Sequence, residues 1–506
     1  MPRSAFKIGL IDRIRTRRVG VIDIGSNSIR LVVYDRLARS PVPVFNEKVL
    51  CGLGRDLGRT GRLNPDGVRL AIANLSRFVQ LLEGMRVDRV DVLATAAVRD
   101  AEDGEAFVAE VHRRNGLRMS IVSGTEEARL SAMGVLSGQP DADGVMGDLG
   151  GASVELVGLD RAEIGEQVTL PLGPFRLMDA KGDLRDVVSD QFAGQEWLRD
   201  YRGRTFYPVG GNWRALAKIH MIQRGHPVHI IHQYAVPAAD LAQLAGLIAR
   251  QHKGSLEKVA GVSKRRLETL PYAALVMEGL LAALKPRHVV FSAFGLREGH
   301  LFDLLSPEER ALDPLIEGCL DIARSHDRFG KVGRLADWIA GLFADEPAPH
   351  ARLRRAASLL SDFCWDEHPD YRSNHAFFRT LRLPIAGLDH ADRVFLASAL
   401  YARYGGNPGD KLTRSMCDLL SDDDRGRASL VGAALRLGHT LSGGAVSVLD
   451  DTRLQLTDDS VLLWLPAENE CLGGDVVQRR LDSVAKALGR TGRIMVDPPT
   501  ELRVGA

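Results

Sequence analysis

Two aspartates, Asp23 and Asp148, each end an apolar run and open a turn of small residues. The surrounding stretches read VGVIDIGSNSIRLVVYD (Val19 to Asp35) and GVMGDLGGASVELVGLD (Gly144 to Asp160). Aligned on the two acids, Gly25 meets Gly150, Ser28 meets Ser153, Leu31 meets Leu156 and Val32 meets Val157. An apolar run, an acid, a glycine turn and a second apolar run predict a strand, a tight turn and a returning strand. The turn residues Gly25, Ser26, Asn27 and Ser28, and Gly150, Gly151, Ala152 and Ser153, are small. Small residues let backbone N–H groups close on an anion and supply hydroxyl donors. One such turn is an ordinary hairpin. A matched pair, each with a carboxylate at its base, predicts a phosphate chain clamped from two sides with a metal between.

The segment IVSGTEEARL (Ile121 to Leu130) supplies further chemistry. Ser123 and Glu126 have capping-box spacing, which turns Glu126 back onto the backbone of Ser123. Glu127 is then the carboxylate left free, a general-base candidate; the competing reading is two first-turn acids favoured by the helix dipole. Arg99 lies just beyond a strand end, where α/β ligands bind, and can fork onto phosphate or pair with Asp100. In YPVGGNWRALAKI, Gly210 and Gly211 open a helix and present N–H groups to an anion. Arg297 and Glu298, after another strand, read as a structural ion pair.

The elements that must position these residues alternate. Strands are expected at 19–35 (two), 44–51, 90–95 and 121–122, with helices from 65 to 82, 105 to 114 and 124 to 136. A second α/β lobe follows, with strands at 167–172, 205–209 and 288–291 and helices after Gly211 and over 272–284. Paired lobes place a ligand in the cleft between them. After Ser306-Pro307 the chain reads as helical to about Gly438. Strands return over 445–465, and a helix at 476–488 and a strand at 493–496 complete a small α+β unit. The domains are thus drawn at 1–136, 137–305, 306–440 and 441–506. The chain has 506 residues, is 45% hydrophobic and carries net charge +1, which excludes polyanion binding by bulk charge alone. Five scattered cysteines indicate neither a disulfide framework nor a zinc site. Arg13, Arg15, Arg17 and Arg18 precede no long apolar core, and no run of 18 apolar residues occurs, so neither a leader nor a membrane span is expected and the location is read as cytoplasmic.

Six motifs in order, DIGSNSIRLVV, ATAAVRDA, SGTEEARL, GDLGGASVEL, VGGNWRALA and FGLREG, give a resemblance to the exopolyphosphatase/guanosine pentaphosphate phosphohydrolase family. It covers about residues 19–305 by motif and the later half by layout. The resemblance implies two ribonuclease-H-like lobes, as in actin, Hsp70 and the sugar kinases, followed by a helical HD-like domain. It implies Mg²⁺-dependent hydrolysis of the terminal phosphoanhydride of inorganic polyphosphate, or of the guanosine alarmone pppGpp, and a homodimer, with no nucleic acid bound. It places the catalytic glutamate on Glu127, metal-associated acids on Asp23, Asp148 and Glu155, and a phosphate-binding arginine on Arg99. Three positions depart from the family pattern: Ala152 replaces a third glycine, Val154 a threonine and Asn212 a threonine. In the helical part Ser361 precedes Asp362 where an HD metal site needs adjacent His and Asp, so no second metal centre is expected there. His368 and His375 are read as packing or phosphate-binding residues. Clusters at Arg55, Arg59 and Arg62, and at Arg352, Arg354 and Arg355, are candidates to line a channel for a long polyphosphate. A phosphotransferase of the sugar- or acetate-kinase type and a non-catalytic alarmone sensor are the competing classes.

Overall fold

The computed structural model describes residues 17–161, 163–259, 261, 263–326, 328, 333–407 and 409–497. Arg13 and Arg15 lie outside these residues. The chain forms two compact units, one ending at Ala311 and the other starting at Leu312.

The first unit holds two sheets of related topology. Strands β1 (Val19–Ile24), β2 (Ser28–Tyr34), β3 (Pro43–Leu50), β4 (Arg89–Ala94) and β5 (Met119–Ile121) pair in the order β3-β2-β1-β4-β5. β1, β2 and β3 are an antiparallel meander, while β4 and β5 run parallel to β1. The second sheet comprises β6 (Asp143–Leu149), β7 (Val154–Asp160), β8 (Glu163–Leu170), β9 (Thr205–Val209), β10 (Tyr234–Pro237) and β11 (His288–Phe291), in the order β10-β11-β9-β6-β7-β8. It repeats the meander and the parallel additions and gains β10 as an antiparallel edge. This is the expected pair of ribonuclease-H-like lobes.

β1 can be central because it is almost wholly apolar. Val21, Ile22 and Ile24 are buried on both faces, and only Asp23, near the strand's end, keeps some exposure. Helix α1 (Pro65–Gly84) covers one face with Ala71, Leu75, Phe78 and Leu82. Its start follows the sequence rule: Asn64 accepts the Gly67 N–H at 2.9 Å and Pro65 takes the first turn. α2 (Ala96–Asp100) and α3 (Gly104–Asn115) follow β4. In the second lobe, Trp213 is buried against Phe206 and donates its indole N–H to the Ala273 carbonyl at 2.9 Å.

The chain passes between the lobes through α4 (Gly124–Gly138) and returns through α8 (Leu296–Asp303). Further helices in the second lobe are α5 (Pro174–Asp179), α6 (Gly211–Gln223) and α7 (Leu270–Leu284). α4 and α8 pack so closely that a Cβ on Gly299 would sit 1.7 Å from the Leu130 carbonyl oxygen. Arg129 of α4 locks the crossing by forking onto Glu126 and Asp303, each contact 2.8–3.0 Å.

The second unit is mainly helical, including α9 (Arg372–Leu381), α10 (His390–Arg403) and α11 (Asp422–Ser442). It ends in a three-stranded sheet, β12 (Arg453–Leu456), β13 (Ser460–Pro466) and β14 (Thr491–Asp497), with α12 (Asp475–Ala487). Strands do not begin at 445 as the sequence reading expected. Val446–Leu449 is a short 3₁₀ helix, entered after the left-handed pair Gly443 and Gly444. Among the described residues no helix is long and apolar enough to cross a membrane, and all five cysteines are free thiols.

Candidate active site

The two small-residue turns have the same internal geometry. Gly25 N–H donates to the Ser28 carbonyl at 3.0 Å, and Gly150 N–H donates to the Ser153 carbonyl at 3.0 Å. In both, the turn carbonyls are taken by a following loop. Ser26 and Asn27 accept from Gly54, Cys51 and Gly52, while Gly151 and Ala152 accept from Phe175 and Gly173. The N–H groups of Ser26, Asn27, Gly151 and Ala152 donate to nothing among the described residues. Ser26 is buried, Gly151 and Ala152 are half-buried and Asn27 is exposed, and N–H groups left without a partner in such a turn are what an anion binds. The turns also stand side by side, since a Cβ on Gly151 would lie 3.3 Å from that of Ser26. Gly173 must be glycine because its Cβ would reach 2.2 Å from the Ala152 carbonyl carbon.

The acids at the base of the turns face different partners. Asp23 accepts from Arg297 at 2.6 Å. Arg297 is therefore part of this cluster and its main partner is Asp23; Glu298, 3.9 Å away, instead accepts from Tyr34 and the Gly295 N–H. The Arg297–Glu298 ion pair read from sequence is present, and the return of α8 into the first lobe adds Asp23 as the nearer partner of Arg297. Asp148 is half-buried, with Ser131 donating to it at 2.7 Å. Its cross-strand neighbour Glu155 is 1% exposed and takes a 2.5 Å hydrogen bond from Ser153. No arginine or lysine bonds either acid among the described residues. Burial, then Glu127 and Asp148, push Glu155 well above the usual range, and burial raises Asp148 against the opposing pull of Ser131 and Arg214.

Glu127 lies in the first turn of α4. Ser123 caps this helix by accepting the Glu126 N–H at 3.1 Å. The return half of the expected capping box is not made, because the Glu126 carboxylate is held by Arg129. Glu127 itself meets Arg99 at 3.1 Å, and Arg99 also donates to the Val122 carbonyl and to Asp100. Desolvation outweighs that arginine, and with Asp148 and Asp23 nearby it raises the Glu127 carboxyl to about 7. Asp148 and Asp23 act on Glu127, and Glu127 and Asp148 act on Glu155, so these carboxylates share one environment. Gly210, at φ 100°, adjoins it: a Cβ there would be 3.2 Å from Asp148 Oδ1. Gly211 abuts the Arg266 guanidinium, and the departing residue Asn212 accepts from Thr269 at 3.2 Å. Val154 is fully buried, so a threonine hydroxyl there would need a buried partner.

A row of cations completes the site and was missed from sequence. Cross-strand register puts Asp23 beside Arg30 and Arg30 beside Lys48. Lys48 is pushed down to about 8 by burial, then by Arg266, and also by Arg30 and Arg297. Arg266 has a buried, unpartnered Nη1. The alignment on Asp23 and Asp148 held the signal, because it sets Arg30 opposite Glu155: one lobe carries a cation where the other carries an acid. Of the arginines expected to guide a long chain, Arg55, Arg59 and Arg62 are exposed. Arg352 and Arg354, the other channel candidates, bond Asp313 and Glu346 and backbone carbonyls, so their charge is already answered. His375 pairs with Glu367, and His368 is exposed.

A model of the Ppx/GppA phosphatase family matches residues 32–308, and one of the exopolyphosphatase C-terminal region matches residues 323–495. Retrograde regulation protein 2 of Saccharomyces cerevisiae is 26% identical over 434 residues, covering 77% of this chain and 73% of that protein. Exopolyphosphatase 2 of Mycobacterium tuberculosis is 27% identical over 293 residues, covering 53% of this chain and 92% of the relative. The structure of an exopolyphosphatase from Cytophaga hutchinsonii shares the fold, with a TM-score of 0.52 at 22% identity over 57% of this chain and 97% of that one. The first family match alone takes in more than half of the 506 residues, Arg99, Glu127, Asp148 and Glu155 among them, and the chain belongs to the Ppx/GppA phosphatase family.

Proposed function

We propose that this chain is an exopolyphosphatase that hydrolyses the terminal phosphoanhydride of inorganic polyphosphate and releases orthophosphate. The observation that carries the reading is a half-buried glutamate, Glu127, raised to about 7 beside two acid-lined turns whose N–H groups are free. A carboxyl poised near neutral pH is suited to take a proton from water. The turns' N–H groups bind oxygens of the chain end, and Arg99 transfers from Glu127 to phosphate, which leaves that carboxylate free to orient the attacking water. Arg30, Lys48 and Arg266 hold the phosphates behind the end, so a chain longer than two phosphates has a continuous cationic path.

Asp148 and Glu155 fit a divalent ion of the Mg²⁺ class: they are cross-strand oxygen donors, one half-buried and one buried, and neither has a bonded cation among the described residues to balance its charge. Asp23 is paired with Arg297, so in this proposal it has the smaller share in holding the ion. When bound, Mg²⁺ neutralises charge on the phosphate oxygens.

Orthophosphate release from long-chain polyphosphate and from pppGpp, assayed in parallel with Mg²⁺, tests the substrate. Turnover of polyphosphate at the higher kcat/KM supports the proposal; turnover of pppGpp alone replaces it with the nucleotide reading. Release without any acceptor excludes a strict kinase.

A further inference from the structure

The second unit contains a cavity of about 340 Å³ whose walls carry Arg328, Arg372, Arg403 and Arg436. Among the described residues, Asp362 is the carboxylate seen to answer this charge. Arg328 grips it through two bonds of 2.7 and 2.8 Å, and Arg403 approaches it at 3.8 Å. Arg372 gives two donors to the Glu367 carbonyl. Arg436 bonds no acid among the described residues, and its guanidinium packs over Gly405. The Arg403 side chain is 13% exposed, and its Nε is buried with no partner. Arg403 and Arg372 flank the Tyr404 ring at 4.4 and 5.9 Å.

Gathering guanidiniums around a cavity is costly without a counter-charge. The cost is visible in the neighbours. Burial, and then Tyr404 and Asp362 opposed by Arg328 and Arg436, leaves Arg403 lowered to about 10. His439, bonded through Nε2 to Ser361 at 2.9 Å, is kept neutral by burial and by Arg403 and Arg328. A metal cation would meet the same repulsion, so the missing component is an anion. The forked geometry of arginine matches phosphate oxygens two at a time. Several forks around a cavity this size suit a short run of phosphates better than one carboxylate, and the space is too small for a nucleic-acid duplex. Gly443 and Gly444, both left-handed at φ 61° and 92°, leave one wall without side chains. The end of α11 lies in that wall, and its dipole disfavours an anion, by less than one guanidinium–phosphate pair contributes.

We propose that this arginine-lined cavity of the second unit is an oligophosphate-binding site, separate from the candidate active site. It does not depend on the hydrolase reading. The phosphates can belong to inorganic tripolyphosphate or to a nucleoside polyphosphate.

Titration calorimetry on the full chain carrying Glu127→Gln tests this, with tripolyphosphate and, separately, guanosine tetraphosphate as probes. Addition of Arg436→Gln is expected to abolish one bound equivalent for at least one probe. Loss for tripolyphosphate identifies a site for phosphate chains; loss only for guanosine tetraphosphate identifies one that also needs the nucleoside. Arg403→Gln should do the same, but it empties a buried position, so Arg436→Gln is the primary variant and circular dichroism checks its fold. Arg436→Lys should retain the equivalent with weaker affinity. An unchanged number of equivalents in a folded Arg436→Gln protein, or no binding of either probe, overturns the proposal. Loss of hydrolysis elsewhere in the chain would leave this result untouched.

Discussion

Replacing Glu127 by glutamine should make the protein more stable and far less active, with a pH dependence that identifies the cause. The folded protein holds this carboxyl at about 7 against an ordinary 4.5. At roughly 1.36 kcal/mol per pH unit, the ionised form is disfavoured by about 3 kcal/mol, already net of the attraction to Arg99. The sign follows from linkage: a carboxyl raised in the folded state has no penalty below its unfolded value and the full penalty above its folded one. The stability lost therefore develops between pH 4.5 and about 7. Glutamine keeps an oxygen for Arg99 and never ionises. Chemical denaturation of parent and variant should agree at pH 4.5 and separate at pH 8.5, with Glu127→Gln ahead by up to about 3 kcal/mol. Loss of general-base help should lower kcat by about 10²–10⁴, equivalent to about 3–5 kcal/mol on the barrier. A variant that is less stable by the same amount at both pH values, or one with unaltered kcat, refutes the assignment.

Three further outcomes follow from the same geometry. Arg297→Gln leaves the half-buried Asp23 without its cation, and denaturation should show a loss of about 1–3 kcal/mol. Gly173→Ala forces the loop away from Ala152, since the new Cβ would sit 2.2 Å from that residue's carbonyl carbon; kcat/KM should fall by about 10²-fold while the circular dichroism spectrum is kept. Lys48 is charged below its value of about 8 and neutral above it, so kcat/KM for polyphosphate should decline above pH 8 in the parent and hold to higher pH in Lys48→Arg.

The lobes were legible because their signals are local. The apolar run of β1, the Asn64-Pro65 helix start and the repeated glycine turns each specify a strand, a cap or a hairpin without reference to distant residues. The turns' roles were legible as a pair because duplication places like residues at like offsets. The partners of the acids were not. Arg297 reaches Asp23 from 274 residues away, and nothing in its own neighbourhood, least of all the adjacent Glu298, announces that pairing. Lys48 was hidden for the opposite reason: it sits in a strand with exposed residues, and only register with Arg30 brings it to the site. Glu126 shows that spacing proposes a bond but competition decides it, because Arg129 offers a charge-assisted fork that a backbone N–H cannot match. The arginine cavity of the second unit was invisible because Arg328, Arg372, Arg403 and Arg436 are dispersed in sequence and gather only through tertiary packing.

Orthophosphate release from long-chain polyphosphate, measured for the parent with Mg²⁺, the parent with a chelator, and Glu127→Gln with Mg²⁺, tests the central claim most directly. Steady release is expected in the first reaction and near-complete loss in the other two, with polyphosphate still retained by the folded variant. Release by Glu127→Gln at the parent's rate, or none from the parent under any of these conditions, would contradict that claim.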